Sequence, residues 1–149
     1  MNILQTIADF GIKSGGTSTC TYNLISSLNK INCPTKLLTH EVKDPEDKQI
    51  GTGEEWIISL QNNQLTSYGY SRNAKYFFEK NNEFDLLHTN GLWMYCNHIT
   101  CKTARIKGIP YIISPHGMLY PQALRRSYWK KWFFIQFHFK KDILRATCI

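Results

Sequence analysis

The sequence predicts an α/β fold: a doubly wound, mostly parallel sheet with helices on both faces, built as one domain over residues 1–149. Three observations predict it. Short apolar runs of strand length alternate with amphipathic stretches of helical length, which implies parallel βαβ units. Polar stretches bearing glycine or proline fall at the ends of the apolar runs, where a sheet of this kind places its ligand loops. Of the 149 residues, 42% are hydrophobic and 19% are charged, enough for one core and too apolar for disorder.

Residues 2–7 read as a short buried strand, and Gly11, Gly15 and Gly16 mark a flexible turn after it. From Thr17 onward, apolar side chains recur at Cys20, Leu24, Ile25, Leu28 and Ile31, which is helical spacing. Thr17 or Ser18 caps that helix, and Asn32 with Pro34 closes it. Residues 36–42 read as a second strand, 43–53 as a polar loop and 56–60 as a short third strand. Ser71 opens a helix with Ala74, Phe77 and Phe78 on one face, ending near Asn81 and Asn82. Residues 84–89 make a strong strand and 94–107 a helix. Gly108, Ile109 and Pro110 then turn the chain into a strand over 111–114.

Composition narrows the setting. The N-terminus has no basic start, and its apolar run is too short for a secretory signal. No uncharged stretch reaches membrane-spanning length, so the expected location is cytoplasmic. Five cysteines without a C-x-x-C pair read as buried free thiols, and neither a zinc site nor a disulfide framework is expected. The net charge of +7 is concentrated: Arg125, Arg126, Lys130, Lys131, Lys140 and Lys141 lie in one stretch without an acid. Such a stretch suits an anionic partner.

Three places carry chemistry. A strand, a Gly15-Gly16 turn and a helix start make an anion site, because free backbone N–H groups point outward at the helix's positive end. The spacing fits neither the dinucleotide fingerprint nor a Walker loop, and taken alone the loop is explained slightly better by a plain flexible turn. The second place is the strand end His88-Thr89-Asn90-Gly91-Leu92-Trp93, which sets polar groups beside an aromatic ring. The third is Ser114-Pro115-His116-Gly117, where proline removes a donor and glycine permits a sharp reversal, so that His116 is held in one orientation. His40, His98 and His138 read as structural, His88 as either core or site, and His116 as functional.

These motifs, in this order and spacing, resemble the N-terminal domain of family 4 glycosyltransferases. The most specific match is Pro110-Tyr111-Ile112-Ile113-Ser114-Pro115-His116-Gly117-Met118. The resemblance implies a Rossmann-like half of a two-domain GT-B enzyme that transfers a sugar, with retention, from a nucleotide-sugar donor to a glycan or lipid-linked acceptor. It implies no cofactor and no essential metal. Gly15 and Gly16 would lie near the donor diphosphate and the acceptor, His116 would orient the donor sugar, and Gly117 would line the same place. His88 and Trp93 would shape the acceptor side. Asn90 stands where many relatives carry a second histidine. In the family the nucleotide is gripped mainly by a C-terminal domain with an E-x7-E glutamate pair. No glutamate follows His116 here, so the expectation is a domain that needs that partner and turns over poorly alone.

Residues 125–141 combine cations with aromatics. At 100° per residue, Tyr128, Trp129, Trp132, Phe133, Ile135 and Phe139 share a face that is expected to be buried. Lys130, Lys131 and Lys141 fall opposite, with Phe134 and Phe137 among them. That second face suits an anionic membrane surface, on the inner side of the cytoplasmic membrane where a lipid-linked acceptor would be met. A non-catalytic binding module is the competing reading. Nucleic-acid binding leaves the glycine loop and the His116 turn unexplained and is not expected.

Overall fold

The computed structural model describes residues 1–61, 68–126 and 128–149, without the side chains of residues 130 and 137. Its centre is a five-stranded sheet of β1 (Ile3–Ile7), β2 (Thr35–His40), β3 (Ile57–Leu60), β4 (Leu86–Asn90) and β5 (Tyr111–Ser114). The order is β3-β2-β1-β4-β5 and every pairing is parallel. Helices α1 (Gly16–Lys30), α2 (Arg72–Lys80) and α3 (Tyr95–Lys107) lie between strands. After β5 come α4 (Pro121–Arg125), α5 (Tyr128–Phe134) and α6 (Lys140–Leu144). The chain then returns beside β5, where Ile113 N–H donates to the Cys148 carbonyl at 3.0 Å.

The central strand β1 is buried along its whole length, and its alternating side chains divide the core in two. Ile7 packs with Leu37, Phe10 and Ile25 of α1 on one face. Leu4 packs with Leu38, Leu87, Ile113, Phe78 of α2, Ala104 of α3 and Phe139 on the other. Each large apolar side chain buried in this way contributes about 1.5–3 kcal/mol. The α1 face of the sheet is less covered over β4 and β5, where Leu86, His88, Ile112 and Ser114 remain half-buried.

Local signals explain most element ends. The Ser71 hydroxyl accepts the Ala74 N–H and caps α2. Gly108 ends α3 in the left-handed conformation, at φ 68°. The α1 helix departs from the sequence expectation at its start. No hydroxyl caps it; the chain enters through a 3₁₀ turn at Ile12–Ser14, and Gly15 takes the N-cap position at φ 77°. The buried face of α1 is Ser18, Thr21 and Ile25, while Cys20, Leu24 and Ile31 face solvent. Small hydroxyl residues let the helix approach the sheet closely, and the apolar pattern alone points to a different stripe. Of the five free cysteines only Cys96 and Cys101 are buried; Cys20 and Cys148 are exposed.

The basic aromatic stretch also corrects its expectation. Phe134 turns inward onto Tyr68, with ring centroids 5.6 Å apart. Tyr128, Trp129, Trp132 and Phe133 face outward, Trp129 at 77% and Phe133 at 55% exposure. The cause is a π-helical turn at Ile135–Phe139, which is wider than an α turn and shifts the phase between the residues on its two sides. Phe139 reaches the core at the expense of the residues of α5, which a uniform 100° step would have placed beside it. Lys130 and Phe137, both expected on the outer face, lie outside the described side chains.

Candidate functional site

The strand order reverses at β1: β2 lies on one side of it and β4 on the other. In open α/β sheets ligands bind at the carboxyl ends of the strands beside such a switch point. The glycine loop leaves β1 there, residues 90–93 leave β4, and residues 114–118 leave β5. The sheet therefore brings all three sequence motifs to one edge.

The β4 and β5 loops are tied together by a polar network. Asn90, 4% exposed, donates through Nδ2 to Gln5 Oε1 at 2.9 Å. Its Oδ1 accepts from His116 Nε2 at 2.9 Å. An amide oxygen can only accept, so Nε2 of His116 carries the proton and Nδ1 is the nitrogen left to accept. Asn97 of α3 donates to the Asn90 carbonyl at 3.0 Å and to Thr89 Oγ1 at 2.8 Å. Gly91 N–H donates to the Ser114 carbonyl at 2.7 Å. His88 Nε2 lies 2.8 Å from Ser114 Oγ. Of these residues, Gln5 and Asn97 carry no signal in the sequence beyond lying on apolar elements, whereas Ser114 belongs to the motif that leaves β5.

The electrostatics follow from burial. Desolvation pushes the His88 imidazole down to about 4, with the neighbouring His116 adding a smaller push in the same direction. Partial burial also lowers His116. Both rings are therefore neutral at pH 7. His116 is the more accessible of the two, and it is the one whose acceptor nitrogen a ligand can meet.

Backbone strain is concentrated in the same loops. Among the described residues, three non-glycine residues have left-handed backbones: Asn32, Trp93 and His116. Asn32, at φ 59°, closes α1, a common place for asparagine. Trp93 at φ 72° and His116 at φ 46° are the other two. Such conformations cost about 1–3 kcal/mol each and persist where surroundings enforce them, often at functional sites. Gly91 (φ 95°) and Gly117 (φ 78°) share the loops.

The glycine loop is built differently. A Cβ placed on Gly15 or Gly16 would meet nothing within 4 Å. Among the described residues no side chain caps the first turn of α1, which leaves the Gly16 N–H at the helix's positive end, while the Gly15 N–H donates to the Ile12 carbonyl. Beside the loop lies a cavity of about 280 Å³ between the ends of β1 and β2, lined by Asp9, Glu41, Asp44, Asp47, Lys43 and Met94 among others. Carboxylates there can accept from ligand hydroxyl groups. The motifs do not point to this cavity; its one signal in the sequence is the density of acids in residues 41–47.

The remaining candidates separate by position. A concavity of about 520 Å³ opens at the amino edge of β5, lined by Arg105, Lys141 and Arg145. The carboxyl ends of α3 and α6 meet there, and cations at helix ends offset the local dipole. Its place is away from the strand ends that carry His116. His98 is structural, with Nδ1 at 2.7 Å from Asp142, a carboxylate of 0% exposure that Arg105 also grips. Of the residues expected at a membrane surface, Lys141 is exposed, Phe134 is turned inward, and Lys131 is turned back over the Trp93 ring.

A doubly wound α/β domain with three converging loops at its switch point is a ligand-binding module of the Rossmann-like class. Its family follows from the sequence as a whole: the model of Glycosyltransferase Family 4 matches residues 14–148, and the chain belongs to that family. No individual curated protein matches it. The chain is thus a glycosyltransferase module, whose substrates are a sugar donor and an acceptor. No helix among the described residues is long and apolar enough to cross a membrane.

Proposed function

We propose that this domain is the acceptor-side half of a retaining GT-B hexosyltransferase that uses a nucleotide-sugar donor and a glycan or lipid-linked acceptor in cell-surface polysaccharide synthesis, including lipopolysaccharide. The observation that carries this reading is the Asn90–His116 pair, held at 2.9 Å beside the open glycine loop at the switch point. Gly16 offers its backbone N–H to the donor diphosphate, and Gly15, whose own N–H donates to the Ile12 carbonyl, leaves the space for it to approach. His116 offers a neutral acceptor nitrogen to a donor-sugar hydroxyl, and Gly117 gives that sugar room. His88, Asn90 and Trp93 shape the adjoining wall, and the acid-lined cavity suits the acceptor's hydroxyls. No metal is required for these roles. A partner C-terminal domain supplies the main grip on the nucleotide, so the module has little turnover alone.

The test is an amide-shift titration of the chain with a panel of uridine, guanosine and adenosine diphosphate sugars. Weak, millimolar binding is expected, with shifts at Gly15, Gly16, Asn90 and His116 that vanish in His116→Ala. Shifts confined to the amino edge, or none at all, would overturn the reading.

A second observation favours a peripheral position on the inner face of the cytoplasmic membrane. The exposed rings of Tyr128, Trp129, Trp132 and Phe133 stand near the exposed cations Arg125, Arg126, Lys140 and Lys141. Rings enter the interface while cations meet anionic headgroups, each contributing about 1 kcal/mol. In flotation with anionic liposomes, a Trp129→Ala/Phe133→Ala variant is expected to stay with the soluble fraction. Equal flotation of variant and wild type would remove the membrane from the proposal.

A further inference from the structure

The loop that leaves β4 ends on Trp93, whose left-handed backbone is unusual for so bulky a residue. Two contacts hold its ring. Lys131 of α5 places its ammonium 5.8 Å from the ring centroid, within the range of a cation–π contact. Phe139, a core residue, meets the ring edge-on at 5.7 Å. The Lys131 ammonium also donates to the Ala123 carbonyl of α4, which fixes the head of the side chain. On the other side of Trp93, Leu92 N–H donates to Met118 Sδ at 3.2 Å, and Gly91 N–H binds Ser114. Asn90 and His116 come next. A continuous set of contacts therefore runs from α5 to the His116 ring.

We propose that Trp93 is a positioning residue for the Asn90–His116 pair and that α5 holds it in place through Lys131. A strained backbone persists only while its surroundings enforce it. Without Lys131, Trp93 relaxes toward a right-handed or extended conformation. That relaxation draws Gly91 and Leu92 away from Ser114 and Met118, and Asn90 loses its alignment with His116. The outer face of α5 carries Trp129, Trp132 and Phe133, so an occupant of that face acts on the same contacts. The catalytic meaning of the coupling rests on the transferase reading; the coupling itself does not.

The experiment uses the full chain without ligand, so its failure is distinct from failure of nucleotide-sugar binding. Amide hydrogen exchange at Gly91 and Leu92 and the titration of the His116 ring are followed by NMR. Lys131→Met is expected to speed exchange at both amides about tenfold, while α3 amides such as Ala104 keep their protection. The His116 pKa rises toward the ordinary imidazole value as its ring is rehydrated. Lys131→Arg restores both readings, and Lys30→Met, an exposed cation at the end of α1 and outside the path, changes neither. Trp93→Gly accepts the left-handed backbone without strain and removes the ring, so adding Lys131→Met to it has no further effect. Wild-type behaviour of Lys131→Met, lack of rescue by arginine, or an additive double variant would each overturn the proposal.

Discussion

The two sides of the carboxyl edge are built on opposite plans. The glycine loop after β1 is open: among the described residues no side chain caps it, and a Cβ on Gly15 or Gly16 would meet nothing within 4 Å. The loops after β4 and β5 are closed upon each other by the Asn90, Gly91, Ser114 and His116 hydrogen bonds, with Trp93 and His116 in strained backbones. One side offers an uncapped helix start and room beside its glycines. The other offers a few side chains in fixed orientations. A site that must hold a charged group and orient an uncharged ring needs both, and the comparison shows where the domain spends its stability.

Breaking the closed side should cost most. Asn90→Leu leaves the buried Gln5 amide and the more accessible His116 ring without their partner, and a loss of about 3 kcal/mol is expected in chemical denaturation. A loss below ~1 kcal/mol would mean that the network is not what holds the loops.

Acid probes the same side. His88 is held at about 4 against an ordinary 6.5, so between those values the unfolded chain binds more protons than the folded one. Stability is therefore full above pH 6.5 and falls as the pH drops toward 4, by about 3 kcal/mol from this group. His40, buried and lowered in the same direction, adds to the slope. His88→Gln, which can keep a bond to Ser114, should flatten the midpoint-versus-pH curve. An unchanged slope would assign the acid sensitivity elsewhere.

Smaller effects sharpen the contrast. Gly91→Ala forces a Cβ into a left-handed backbone 3.4 Å from the Met118 methyl, at a cost of about 1–2 kcal/mol. Gly16→Ala meets open space in a helical backbone and should change stability by less than about 0.5 kcal/mol. The two alanines thus separate shape from strain: thermal melts should distinguish Gly91→Ala from wild type but not Gly16→Ala, which should weaken donor binding alone.

How much of the molecule is legible in its sequence depends on the range of the interaction. The strands show as apolar runs because burial on both faces demands them, and Ser71, Asn32 and Gly108 act on their immediate neighbours, so each of those element ends is readable from local chemistry. The motif residues His88, Asn90, Trp93 and His116 stand out because the first strand end sets polar groups beside an aromatic ring and the second leaves its strand through Ser-Pro-His-Gly. Gln5 does not, since a lone glutamine inside an apolar strand signals nothing until Asn90 is placed opposite it. Asp142 likewise looks like one acid among lysines, yet it is buried against His98 and Arg105, whose positions lie far off in the chain.

The aromatic segment marks the boundary most clearly. Its composition declares an unusual surface, but which rings face water depends on a single π turn at Ile135–Phe139. Period, propensity and turn chemistry are local, and they suffice for the α/β class, the alternation of elements and the three motifs at strand ends. The bonds from Asn90 to Gln5 and His116, the reach of Lys131 to Trp93 and the outward turn of Trp129 and Phe133 had to wait for the folded chain. Those outcomes depend on which distant groups share a small volume, and on a helical phase that shifts to let Phe139 reach the core.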